Sequence, residues 1–175
     1  QTLQAGQWYY ISLSWDASRY VVYVNDHQAA GGYYAGLMGF AGYADLGNTG
    51  NPDFRTQEAF DGSIDDVRIY GRVLTADESL AIYKYGRREE ELDTVWKNTS
   101  QIQFDGIDDY YSIPTAEWNL NAATVTFWFK ADQWGASHYL LGHTIGTWSS
   151  RIQLYVRNGV LGLGMGDTHA LQPDI

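Results

Sequence analysis

The sequence predicts an all-β protein, two antiparallel sheets packed face to face as a sandwich, with one short helix. Three observations carry that reading. Hydrophobicity alternates with a period of two, the alternating segments are short, and turn residues separate them. The chain of 175 residues, 45% hydrophobic and 18% charged, is long enough to bury a core and reads best as one domain.

The elements follow in order. Tyr9, Ile11, Leu13 and Trp15 alternate with Trp8, Tyr10, Ser12 and Ser14, a strand with one buried face. Residues 20–24 form the next, and Asn25-Asp26 then turns the chain, because both residue types tolerate positive φ. Residues 64–70 make a third strand. Thr75 is placed to cap the one helix, Glu78 completes a capping box, Leu80, Ile82 and Tyr83 give an apolar side, and Gly86 is placed to end it. The charge-dense residues after Gly86 have little to bury, and a linker is expected over 89–100. Further strands are expected at 102–104, 110–113, 125–129, 139–143, 152–156 and 160–165.

Composition removes several function classes. With 21 acidic against 11 basic residues the net charge is −10, which disfavours a hold on the nucleic-acid backbone. No apolar run approaches the ~20 residues of a membrane span, so no membrane insertion is expected. The absence of cysteine excludes a disulfide framework, a thiolate metal site and a cysteine nucleophile. Residues 1–6 show neither the basic nor the apolar region of a signal peptide. The 14 Tyr and 7 Trp outnumber 6 Phe, so most aromatic area carries a polar handle, which suits surfaces that meet sugars or proteins. Sheets that simply bury their aromatics account for many of them equally well.

The string F-D-G-S-I-D-D-V-R-I-Y-G-R-V-L-T-A-D-E over residues 60–78 closely resembles the C-terminal end of laminin-G-like, concanavalin A-like jelly-roll domains. I-Q-F-D-G-I-D-D-Y-Y-S-I-P at 102–114 and A-T-V-T-F-W-F-K-A-D at 123–132 resemble the N-terminal half of the same family. The resemblance implies a concanavalin A-like jelly roll whose C-terminal half, residues 1–88, precedes its N-terminal half, residues 101–175. The two halves then make one domain, within one chain or between neighbouring chains. A circular permutant, one period of a tandem array, and a subunit completed by its neighbours all fit, and the last would propagate into a fibre.

Two acidic runs stand out. In the family resembled, the first and last strands lie close together, which would gather Asp105, Asp108 and Asp109 with Asp65 and Asp66. Hard oxygen ligands with an intervening glycine suit a structural calcium ion, Ca2+. The same carboxylates equally suit turn caps or pairs with Arg68 or Arg72. Asp45 to Asp53 is a second, weaker oxygen-rich loop.

From Gly159 to Gly166 glycines alternate with Leu161, Leu163 and Met165, a strand with one bare face on which a flat ring or a neighbouring aromatic side chain can lie. Arg151, Gln153, Tyr155 and Arg157 share one face of the adjacent strand. Gln153, Tyr155 and Arg157, with Trp134 and Trp148, are the candidate ligand contacts; Trp8, Tyr10 and Trp128 are further stacking candidates that fit a core as well. Family members bind on the concave sheet or its rim loops. The E-x-D-x-x-E pattern of laminarinase-type relatives is absent, as are H-E-x-x-H and G-x-S-x-G, so no enzyme is expected. Asn98-Thr99-Ser100 matches the N-glycosylation sequon.

The expectation is therefore a non-catalytic, calcium-stabilised binding or adhesion module, extracellular or at the cell surface, with a glycan or an extracellular protein as partner. The alternative is a structural subunit of a surface fibre or tandem array that binds copies of itself. A carbohydrate-active enzyme is the weaker alternative.

Overall fold

The structure is a computed structural model that describes residues 2–37, 39, 42–50, 58–92, 101–116, 118, 121–135, 137–145, 147–166 and 168–170, with the side chains of 87–92, 145, 147–150 and 168–170 outside the description. Along the chain run β1 (Trp8–Asp16), β2 (Arg19–Val24), β3 (His27–Tyr33), β4 (Tyr43–Leu46), β5 (Asp61–Tyr70), α1 (Ala76–Leu92), β6 (Ile102–Asp105), β7 (Tyr111–Pro114), β8 (Ala122–Ala131), β9 (His138–Ile145), β10 (Thr147–Arg157), β11 (Val160–Met165) and β12 (Thr168–Ala170). They form two six-stranded antiparallel sheets, ordered β3-β2-β1-β8-β5-β6 and β12-β11-β10-β9-β4-β7. This is the sandwich that the period-two pattern predicts.

Strands from before and after residue 100 alternate within both sheets. β8 lies between β1 and β5, β6 edges β5, and β4 sits between β9 and β7. The β1–β8 ladder runs unbroken from Trp8↔Lys130 to Asp16↔Ala122. Inward side chains of both sheets, among them Ile11, Leu13, Trp15, Phe127, Phe129, Leu141, Leu154 and Leu163, make one continuous core. Each long segment thus supplies the neighbours that the other's strands require.

Part of the outer face of the first sheet is covered by α1. Tyr83 stacks on Trp128 with ring centroids 5.7 Å apart, and Tyr10 lies 5.9 Å from Tyr83. Tyr10 and Trp128 are therefore packing residues under the helix, and the stacking role considered for them does not hold. The capping box forms as read: Glu78 N–H donates to Thr75 Oγ1 (3.2 Å) and Thr75 N–H donates to Glu78 Oε2 (2.9 Å). The Arg72 guanidinium grips both Glu78 oxygens and, with the Thr75 amide, holds that carboxyl down at about 2.

The helix does not stop at Gly86. It continues to Leu92, so residues 89–92 are helical, while 93–100 lie outside the described residues. Gly86 serves close approach instead. A Cβ there would stand 2.4 Å from Trp128 Nε1, so only a bare backbone lets the helix rest on the indole.

The N-terminal segment meets the turn between β10 and β11, and the last described strand runs back toward it. Leu3 N–H donates to Gly159 O (2.8 Å), and Ala170 pairs with Leu163 on the strand that leads out of that turn. Four residues of strand separate Leu163 from Gly159, about 13 Å. Residues 171–175 and Gln1 can reach roughly 20 Å when extended. A chain reordered to begin at Gln101 and end at Ser100, with Ile175 joined to Gln1, is expected to give the same far-ultraviolet spectrum and one cooperative unfolding transition. A reordered chain that stays unfolded would show that the two segments are not interchangeable pieces of one domain.

Candidate functional site

The site is built by β10 and its neighbours. Ile152, Leu154 and Val156 point into the core, so Arg151, Gln153, Tyr155 and Arg157 emerge on the outer face of the second sheet. Gly162 and Gly164 lie opposite Tyr155 and Gln153 on β11. The bare face is occupied by the chain's own side chains: a Cβ on Gly162 would meet Tyr155 Cζ at 2.4 Å, and one on Gly164 would meet Arg151 Nε at 2.8 Å. The glycines thus seat Tyr155 and Arg151 flat on the sheet.

Tyr139 of β9 meets Tyr155 with centroids 5.3 Å apart and planes tilted by 33°. The Arg157 guanidinium stands 5.9 Å from the Tyr155 ring, and its Nε–H donates to Ser137 Oγ (3.2 Å). Glu58 completes the group. Burial pushes the Glu58 carboxyl up and the Arg157 charge opposes this, while burial and then the Glu58 charge push the Tyr139 hydroxyl up to about 12. Two half-buried rings beside an exposed guanidinium and a half-buried carboxyl form a shelf that is apolar on its face and polar at its rim. Such a surface can stack the C–H face of a pyranose and hydrogen-bond its hydroxyls, or take a side chain of another protein.

The other candidates fall elsewhere. Gln153 is buried, one row away from Tyr155. Trp134 donates from Nε1 to Leu3 O (3.0 Å) and packs edge-on to Phe129 and His138, at the end of the sandwich. The Trp148 side chain and Asn98 lie outside the described residues, as do residues 51–57 of the second oxygen-rich loop. Within that loop Asp45 is buried and accepts a hydrogen bond from Ser112 Oγ (2.8 Å). Tyr139 and Glu58 had no sequence signal. A bulge between Leu154 and Tyr155 sets Tyr139, not Leu140, opposite Tyr155, and such a register shift leaves no trace in periodicity.

Of the five aspartates, three come together. Ligand oxygens of Asp105, Asp108 and Asp109 lie within 4.8 Å of one another on an exposed turn. Asp105 Oδ1 accepts from Ile107 N–H (2.9 Å) and Asp109 Oδ2 from Asp105 N–H (3.1 Å). Asp65 and Asp66 do not join them. The residue opposite Asp105 is Asp61, four positions before Asp65 and so about 13 Å along the strand. Asp66 instead takes a two-pronged grip from Arg68, whose Nε and Nη2 donate to Oδ1 (2.7 Å) and Oδ2 (2.8 Å).

Comparison with known proteins matches the architecture. Residues 1–78 match the laminin G family model described as the concanavalin A-like lectin/glucanases superfamily. No curated protein and no solved structure matches the chain. The two-sheet antiparallel arrangement with one helix is consistent with a concanavalin A-like sandwich, a fold shared by lectin-like binding modules and glucanases. No helix among the described residues is long and apolar enough to cross a membrane.

His138 secures the rim beside the shelf. Its Nδ1–H donates to Ala59 O (3.1 Å), which leaves Nε2 to accept from Gly135 N–H (2.6 Å). A ring proton on Nε2 would remove that acceptor. Burial lowers the His138 pKa, against the opposing pull of the Ala59 carbonyl and the Asp61 charge. The native state therefore binds this proton less readily than the unfolded chain, whose histidine titrates near ~6.5. The resulting stability is present above that value and is lost as pH falls through the lower, folded-state value. Denaturant unfolding at pH 7.5 and at pH 5 is expected to show a larger acid loss in the parent chain than in His138→Gln. Equal losses would exclude His138 as the source.

Proposed function

We propose that the chain is a non-catalytic, extracellular binding module that holds a glycan or an extracellular protein on the Tyr139–Tyr155 shelf, with a calcium ion bracing the 105–109 turn. The observation that supports it best is the shelf itself: two neighbouring tyrosine rings, Tyr155 lying over Gly162, with Arg157 and Glu58 at the margin. The match of residues 1–78 to a lectin and glucanase family model favours saccharide as the ligand class. A glycosidase needs two carboxyl groups flanking the scissile bond. Among the described residues the shelf has Glu58 beside it, whereas Asp45 on the same face is buried and bonded to Ser112. That arrangement favours binding over cleavage.

Binding to an array of immobilised glycans tests this directly. The parent chain is expected to retain a defined set of saccharides, and Tyr155→Ala to lose about tenfold or more in affinity, the order expected when a stacked ring is removed. Unchanged binding by Tyr155→Ala would move the site elsewhere, and release of reducing ends from a bound polysaccharide would replace the binding reading with a catalytic one.

The cation rests on the chemistry of the turn. Asp105 Oδ1 and Asp109 Oδ2 each accept from a backbone amide, and with Asp108 the turn gathers three carboxylates within 4.8 Å. Calcium accepts such oxygens at flexible geometry and takes the remainder from water. An ion that binds only the folded chain raises its stability, by about 2.7 kcal/mol at a hundredfold excess over the dissociation constant. Thermal unfolding with added calcium is expected to shift upward, to return with chelator, and to show no shift in Asp108→Asn. An identical midpoint with calcium and with chelator would remove the ion from the proposal.

A further inference from the structure

The outer face of the second sheet is not open along its whole length. Gly142 lies in one row between Asp45 of β4 and Gln153 of β10. Residues 47–50 fold back over that row. A Cβ on Gly142 would stand 2.1 Å from the Thr49 carbonyl carbon and 2.4 Å from Asn48 O, and one on Gly50 would stand 2.5 Å from Gly142 O. The loop backbone therefore rests directly on the sheet. Asn48 and Thr49 are buried, and so are Asp45 and Gln153 in the row beneath.

Hydrogen bonds fix the loop from both sides. Gly47 N–H donates to Leu140 O (3.0 Å), and Gly47 O accepts from Phe60 N–H (2.8 Å). Asn48 Oδ1 accepts from Thr49 N–H (2.8 Å), while Asn48 Nδ2–H reaches across to Asp109 O (3.2 Å). That last bond ties the loop to the acidic turn, a segment 61 residues away in sequence.

We propose that residues 47–50 are a built-in plug, latched by Asn48 to the Asp109 carbonyl, that ends the binding face at the row Asp45, Gly142, Gln153 and confines a ligand to the Tyr139, Tyr155 and Arg157 side. The plug stands on the geometry alone; its consequence for a ligand rests on the shelf reading above. A saccharide on the shelf meets a wall where Gln153 would otherwise extend the polar floor. Asn48 is thus a positioning residue, and Gly142 is the seat that the plug requires. The Gly142 backbone is not in the left-handed region, so alanine there is opposed by the loop and not by its own φ.

The chain has no cysteine, so an introduced thiol is a clean reporter. Gln153→Cys reports the row beneath the plug, and Ala5→Cys, at an exposed position, sets the open rate. Maleimide labelling of folded Gln153→Cys is expected to be far slower than that of Ala5→Cys. Adding Asn48→Ala, which removes the bonds to Asp109 and Thr49, or Gly142→Ala, whose Cβ displaces the loop, is expected to speed Gln153→Cys labelling about tenfold or more and to leave Ala5→Cys unchanged. Circular dichroism and cooperative unfolding confirm that each variant is folded. Should Gly142→Ala fail to fold, Asn48→Ala decides, with Asn48→Asp, which keeps the Thr49 acceptor and loses the donor, as its companion. Gln153→Cys labelling at the Ala5→Cys rate in the otherwise unaltered chain, or no acceleration in the folded variants, overturns the plug. Slow, latch-dependent labelling in a chain that binds no glycan would keep the plug and remove the shelf reading.

Discussion

The pairing of β1 with β8 is the constraint on which the rest of the structure depends. It joins segments more than a hundred residues apart, and it runs from Trp8↔Lys130 to Asp16↔Ala122 with every residue in register. Because side chains alternate strictly, that one register decides both faces at once. Tyr9, Ile11, Leu13 and Trp15 go inward with Phe129, Phe127, Val125 and Ala123, while Tyr10, Ser12 and Ser14 go outward with Trp128, Thr126 and Thr124. A slip of one residue would drive serine and threonine into the core. Nothing local enforces the match, so loop closure over the intervening chain must precede it, as in other sheet proteins with long-range pairing.

The outward set explains how a weakly apolar helix stays attached to a sheet rich in hydroxyls. Thr124 is the pivot. Its Oγ1 meets Ser14 Oγ at 2.9 Å, donates to Arg72 O and accepts from Leu74 N–H, both at 2.9 Å. The residues that lead into α1 are thereby bonded to the sheet, and short hydroxyl side chains let them come that close. Further along, Tyr10 lies among the hydroxyls of Ser12, Ser79 and Thr126, and burial raises its pKa. The apolar part of the attachment is concentrated in Tyr83 on Trp128, with Gly86 beside the indole. Helix propensity has little to do with it, since stability of a short helix comes mainly from what it packs against.

Nine of the twelve described strands were legible in the sequence because their hydrophobicity alternates locally, whereas β3 (HQAAGGY), β4 (YADL) and β12 (THA) are too short or too weakly apolar to show a period. Arg151, Gln153, Tyr155 and Arg157 emerge on one face as the alternation requires, and the Thr75 and Glu78 capping box forms with the expected bonds. Features that depend on two distant segments were not legible in the same way. Gly86 looks like a stop in isolation, and only the indole of Trp128, 42 residues on, shows why a glycine stands inside the helix. Asp65 and Asp66 look like partners of Asp105, but the register of β5 with β6 places Asp61 there and gives Asp66 to Arg68. Tyr139 enters the site through a bulge, which counts residues on two strands at once.

The same logic accounts for where the binding surface lies. A sandwich offers two outer faces, and here each is partly closed by its own chain. α1 lies across Tyr10 and Trp128 on the first sheet, and residues 47–50 lie across Gly142 on the second. Both coverings depend on a missing Cβ at the point of contact, at Gly86 in the helix and at Gly142 in the sheet. Where glycine instead sits beside a long side chain of the same sheet, as Gly162 does beside Tyr155, the backbone becomes a floor for an aromatic ring. One residue type thus produces opposite results, closure where a segment crosses over it and a shelf where an aromatic neighbour lies along it. The Tyr139 and Tyr155 pair remains half exposed because β10 supplies the ring from within the sheet, leaving its outward face to whatever approaches from solution.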